Sequence, residues 1–155
     1  MMRHPLPNDR PMTPAEAAAL LAVAAAFDNR KPDPDAATAW ALALDGWRFE
    51  DCRDAIVAHY RRSREWIMPS DVIGGVQAIR NERLERFRKL NGWKALLPPA
   101  DLADDPRAEQ EWTYRMTQAI CDGTVTHPDE TDTRGELKPR DVASLGQIGK
   151  KVPRA

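Results

Sequence analysis

The sequence predicts an all-α fold: a small helical bundle with a long basic fourth helix, an additional C-terminal helix and a disordered tail. Three observations point there. Apolar residues recur at three- and four-residue steps through most of the chain before Gly123, the spacing that gathers them on one helical face. Thr13-Pro14, Asp33-Pro34 and Asp105-Pro106 each put a capping side chain before a proline, the pairing favoured at a helix start. Asp45-Gly46, Asn91-Gly92 and Gly123 supply the breaks between segments.

The elements follow in order. Residues 1–12 hold three prolines and no periodicity and are expected to form a loose arm. In Thr13-Pro14-Ala15-Glu16 the carboxylate can reach back to the cap's N–H, which opens a first helix to about Phe27, with Ala17, Leu20, Ala24 and Phe27 on one face. A second helix, to about Leu44, turns Ala37, Trp40, Ala41 and Leu44 inward. The third, over residues 49–62, aligns Phe49, Cys52, Ile56 and Tyr60, with Glu50 and Asp51 early and Arg61 and Arg62 late, as the helix dipole prefers. Trp66, Ile67 and Met68 make the next connection too apolar for a solvated loop, so it is expected to tuck into the core.

Ser70 is the expected cap of the fourth helix, which extends to Leu90 with Ile73, Val76, Ile79 and Phe87 at helical spacing. Gly74-Gly75 would cost about 1 kcal/mol per glycine relative to alanine, so the pair implies close packing, a kink, or both. A linker from Trp93, closed by Pro98-Pro99, leads to a fifth helix ending near Asp122, with a stripe of Trp112, Met116 and Ala119 or Ile120. Residues 13–92 are thus the bundle, 93–123 a linker with an additional helix, and 124–155 a tail too poor in apolar residues to offset ordering entropy.

At 155 residues, 42% hydrophobic and 30% charged, the chain can bury one core. It has no apolar run of membrane-spanning length and no apolar stretch at its start, which points to a cytoplasmic protein without a membrane partner. Cys52 and Cys121 are expected to be reduced, buried and inert. His4, His59 and His127 are scattered, and neither cysteine stands at ligand spacing from them, so no metal site is expected. No GxxxxGK[ST] loop is present, and the acidic pairs Asp104-Asp105 and Asp129-Glu130 lie at a helix start and in the tail. Neither catalysis nor a cofactor nor a small-molecule substrate is expected.

Two features are the functional candidates. Residues 61–94 hold nine basic against four acidic residues, a net charge of +5, although the whole chain is at -1. Arg80, Arg83, Arg86, Arg88 and Lys89 crowd one stretch of the fourth helix. They read either as a weak, sequence-independent nucleic-acid surface or as a solvated face of Glu-Arg pairs. Near the end of the chain, Val142, Leu145 and Ile148 recur every three residues, with Lys150 and Lys151 following. They read either as a short segment that orders on a partner or as an ordinary disordered terminus.

The block AATAWALALDGWRFEDCRDAIVAHYRRSREWIMPSDVI combines a Trp-bearing helix (Trp40), a turn (Asp45-Gly46), an Ala-rich helix closing on His59-Tyr60, and Trp66 through Ser70 entering the next helix. Over residues 13–87 this resembles the N-terminal domain of phage replicative-helicase loader/inhibitor proteins, small loaders that use no ATP. The resemblance implies a protein that holds a hexameric replicative helicase, with part of the grip in the C-terminal segment. There the role falls on Val142, Leu145, Ile148, Lys150 and Lys151. Two other readings stand beside it: a DNA-binding replication or regulatory protein using the helix over residues 70–90, and a structural or adaptor protein of a mobile element.

Overall fold

A computed structural model describes residues 11–31 and 33–128, and every regular element among them is helical. Five α-helices, α1 (Pro14–Asp28), α2 (Pro34–Ala43), α3 (Phe49–Tyr60), α4 (Pro69–Asn91) and α5 (Pro106–Asp122), are joined by turns and two short 3-10 segments. None of them is long and apolar enough to cross a membrane. The chain divides into two compact units between Arg86 and Phe87, inside α4, and not at the glycine following that helix.

In the first unit, α1 begins with the reciprocal cap expected of it. Glu16 N–H donates to Thr13 Oγ1 at 3.2 Å, and Thr13 N–H donates to Glu16 Oε2 at 3.0 Å. Ala17, Leu20, Leu21 and Ala24 are buried, and the small residues let α1 lie against both α2 and α3. Asn29 ends the helix at φ 59°, a conformation asparagine tolerates. Trp40, Ala37, Ala41 and Leu44 of the second segment face inward as expected, and Cys52, Ala55, Ile56, Ile67, Val72 and Val76 complete the core.

Several expectations need correction. Met12, assigned to the loose arm, is 6% exposed, and its N–H donates to Asp45 Oδ1 at 3.2 Å. Phe27 is 52% exposed: in the last turn of α1 it has passed the edge of the core, and it stacks on Tyr60 at 5.0 Å between centroids. Only Ile67 of the apolar connection enters the core, while Trp66 and Met68 stay 61% and 53% exposed, because successive residues of an extended segment point to opposite sides. α3 ends at Tyr60, two residues short of its expected end. α4 opens at Pro69, not after a Ser70 cap, and the Asp71 carboxylate takes the capping role by accepting from Met68 N–H at 2.9 Å.

The glycine pair serves close packing at one position. A Cβ on Gly75 would meet Ala55 Cβ at 2.8 Å, whereas one on Gly74 would meet nothing within 4 Å. α4 runs unbroken through both.

The second unit contains 3-10 segments Trp93–Leu96 and Ala100–Leu102 where a linker was expected, followed by α5. Asp105 caps α5 by accepting from Arg107 and Ala108 N–H at 3.0 and 3.2 Å, and Gly123 closes it at φ 75°. Trp112, Met116, Ala119 and Ile120 are buried as their stripe predicts, together with Phe87, Cys121 and Val125. Packing extends past the expected domain end. Val125 is 2% exposed, Thr124 Oγ1 donates to the Ala119 carbonyl at 3.0 Å, and Asn91 Nδ2 donates to the Thr126 carbonyl at 3.4 Å. The rest of the tail from residue 129, with Val142, Leu145, Ile148, Lys150 and Lys151, lies outside the described residues, as do residues 1–10 of the arm.

Candidate functional site

The most organised polar cluster sits where the end of α1, α2, the end of α3 and the connection to α4 converge. Its centre is Arg30. The turn after Asn29 directs the Arg30 side chain back toward Asp28, so that Nε donates to Asp28 Oδ1 and Oδ2 at 3.0 and 2.9 Å and Nη2 donates to Oδ2 at 2.5 Å. Nη2 also donates to the Ile67 carbonyl at 3.0 Å and to Tyr60 Oη at 3.3 Å. Tyr60 Oη in turn donates to Asp28 Oδ2 and accepts from Ile67 N–H at 3.1 Å. The guanidinium lies over two indoles, 5.5 Å from the Trp40 centroid and 5.1 Å from that of Trp66.

The electrostatics follow from this geometry. Arg30's hydrogen bonds outweigh burial and hold the Asp28 carboxyl down at about 2, with the Tyr60 bond acting in the same direction. The Arg30 guanidinium is raised by the same carboxylate, and Tyr60 is raised by burial and then by its bond to Asp28. All three groups move away from neutrality. A proton-transfer pair needs values near the working pH, so this cluster is a clamp that fixes the α3–α4 connection. No buried side-chain nitrogen or oxygen among the described residues lacks a partner.

The basic stretch of α4 does not form one outward face. Arg80 is buried at 7% exposure, and Arg83 turns toward α3, within the same unit, to pair with Asp51, with Nη2 to Oδ1 at 2.7 Å and Nη1 to Oδ2 at 3.1 Å. Asp51 is 1% exposed, so its carboxylate belongs to the interior, while the Arg83 side chain remains 27% exposed. Arg86 is exposed and pairs with Glu82 one turn away at 2.9 Å, and Arg88 and Lys89 are exposed. The nucleic-acid reading of all five residues therefore loses Arg80 and Arg83. At about 100° per residue the positions of these five side chains spread around the whole helix, so the buried Arg80 and the exposed Arg86, Arg88 and Lys89 cannot share one face.

No family model, curated protein or solved structure matches the chain.

Among the described residues, two surfaces stand out beside the clamp and the core. On the first unit, the connection after α3 carries exposed Arg61, Arg62, Arg64 and Trp66. On the second, Leu90, Trp93 and Leu97 are 75%, 66% and 51% exposed within a short stretch. An open depression beside α5 is lined by Pro98, Glu109, Gln110, Thr113, Tyr114 and Thr117. Cys52 and Cys121 form no disulfide and are buried, and burial pushes the Cys52 thiol up to about 12, which leaves it inert at neutral pH. No group of three or more His, Cys, Asp and Glu side chains converges among the described residues.

Sequence reasoning missed Asp28, Arg30 and Asp51. Asp51 carried a usable signal: it precedes Ala55 by four residues and so shares the buried face of α3, a position where a carboxylate requires a cation. Asp28 and Arg30 flank a helix end, where charge is ordinary and gives no such signal.

Proposed function

We propose that the chain is a non-catalytic adaptor that binds a larger protein, and that its partner is a replicative helicase of the kind held by the phage loader/inhibitor proteins that residues 13–87 resemble. The observation that supports it best is the exposure of Leu90, Trp93 and Leu97 on the second unit. Large apolar side chains kept in water are the usual mark of a protein-binding surface, and tryptophan is prominent among side chains that dominate binding energy. The resemblance supplies the partner's identity. The C-terminal segment with Val142, Leu145, Ile148, Lys150 and Lys151 provides a second grip in this reading.

The test is co-elution of the purified chain with a hexameric replicative helicase in the absence of DNA and ATP. A stable complex is expected. Replacing Leu90 and Trp93 by serine should weaken it by at least about tenfold, the effect of losing one interface anchor. Removing residues 129–155 measures the contribution of the C-terminal segment separately. Failure of the full chain to co-elute would refute the helicase reading, and unimpaired capture by the serine variant would move the contact off this surface.

A further inference from the structure

We propose that the connection between α3 and α4 binds single-stranded nucleic acid, with Arg61, Arg62 and Arg64 on the phosphates and a base stacked on Trp66. This surface differs from the α4 stretch and does not depend on the helicase reading. The three arginines are exposed, and among the described residues none of them enters an ion pair. Glu65 is the one acid between Arg61 and Met68, which leaves the segment positive in a chain whose net charge is -1. Cations left without carboxylate partners, in a chain with acids to spare, suit an external anion.

Trp66 adds what a phosphate surface alone lacks. Arg30 covers one side of its indole at 5.1 Å, yet the residue is 61% exposed, so the ring is backed from within and open outward. The backbone around it is fixed. Glu65 N–H donates to Ser63 Oγ at 3.1 Å, His59 Nε2 donates to the Glu65 carbonyl at 2.8 Å, and Ile67 is bound on both its N–H and its carbonyl. A ring backed by Arg30 on a fixed backbone loses little freedom on contact, which favours affinity. Basic side chains along a strand with an aromatic ring for base stacking are the recurring means of gripping single strands. A duplex keeps its base faces covered, and an acidic peptide would leave the indole without a planar partner.

The experiment is fluorescence anisotropy of labelled oligothymidine, oligouridine and duplex DNA of about 20 units with the full chain, at low and moderate salt. Single strands should bind more tightly than the duplex, with affinity falling as salt rises. Arg61→Gln, Arg62→Gln and Arg64→Gln together should flatten the log–log salt slope by about 2, since each phosphate contact on a single strand contributes about 0.7. Trp66→Ala should weaken binding about tenfold, and Trp66→Phe, which keeps a stacking ring over Arg30, should restore most of it. Thermal melting of each variant checks that the fold persists. Tighter binding of oligothymidine assigns DNA, tighter binding of oligouridine assigns RNA, and equal affinities support a contact common to both. Absence of binding at low salt, equal binding of duplex, unchanged binding by both sets of variants, or equal displacement by polyglutamate would each overturn the proposal.

Discussion

In the first unit two carboxylates lie inside the fold, each tied to an arginine, Asp28 to Arg30 and Asp51 to Arg83, with side-chain exposures of 2% and 1% for the acids. Among the described residues of the second unit the buried side chains are Phe87, Trp112, Met116, Ala119, Ile120, Cys121 and Val125, and the ion pair Arg115–Glu111 lies on the exposed side of α5 at 3.5 Å. The contrast separates two ways of finishing a small helical core. Alanine-rich α1 and α2 approach closely, and their connections are then pinned by polar groups that accept one geometry only. The second unit relies on a few large side chains and leaves Leu90, Trp93 and Leu97 in water. Polar side chains fasten this unit as well, with Asn91 donating to the Phe87 and Thr126 carbonyls and Thr124 to that of Ala119. The first unit thus fastens its connections with buried carboxylates, and the second packs largely apolar side chains around α5.

The sharpest way to break the comparison is Trp40→Ala. It removes a buried aromatic and one of the two indoles beside Arg30, and should cost about 3–5 kcal/mol by urea denaturation. Amide exchange should accelerate in α1–α3 far more than in α5. Equal acceleration in both would show that the units unfold as one.

Acid titration comes next. Asp28 is held at about 2 against an ordinary 3.8, so the folded state binds its proton more weakly than the unfolded chain does. The resulting stabilisation, about 2 kcal/mol, is complete above about pH 4 and disappears as pH falls through about 2. Tyr60 gives the opposite branch. Its raised value contributes stability that is present below pH 10.0 and is lost as pH climbs through the folded value. Asp28→Asn should abolish the acid-side loss in a denaturation series, and an unchanged acid limb would transfer the effect to another carboxylate.

Gly75→Ala tests the close approach of α3 and α4. With Ala55 Cβ only 2.8 Å from the added methyl, the variant should lose about 1–2 kcal/mol, while Gly74→Ala, with open space around it, should gain a few tenths to about 1 kcal/mol in helix propensity. The smallest effect belongs to the second unit. Asp105→Ala removes the cap of α5 and should cost about 1 kcal/mol, read as faster exchange confined to the first turn of that helix.

Much of the fold was legible because caps and stripes are local signals. The starts of α1, α2 and α5 followed from Thr13, Asp33 and Asp105, and the inward faces of α2 and α5 from their spacing. Trp66 and Met68 were misplaced because composition alone cannot say which side of a connection faces the core, and Ile67 took the only inward position. Met12 and Val125 were assigned to the termini because a single apolar residue beyond a cap has no periodicity to reveal it. The polar clamp stayed hidden for a different reason. Asp28, Arg30, Tyr60 and the Ile67 backbone are brought together by tertiary contact across up to 37 residues, and nothing local distinguishes them from solvated charge. The same limit made the α4 arginines look alike, although Asp51 draws Arg83 inward and leaves Arg86 outside.

The prolines that open α1, α2, α4 and α5 act before any of these contacts exist. A residue ahead of proline is disfavoured from helical backbone angles even in a denatured chain, and Thr13, Asp33 and Asp105 keep extended angles in the folded protein too. The denatured ensemble is therefore already partitioned at these points. A nascent helix cannot readily run backward across them, and the segments between them enter folding with their first residues decided. What remains to be searched is chiefly how the segments meet.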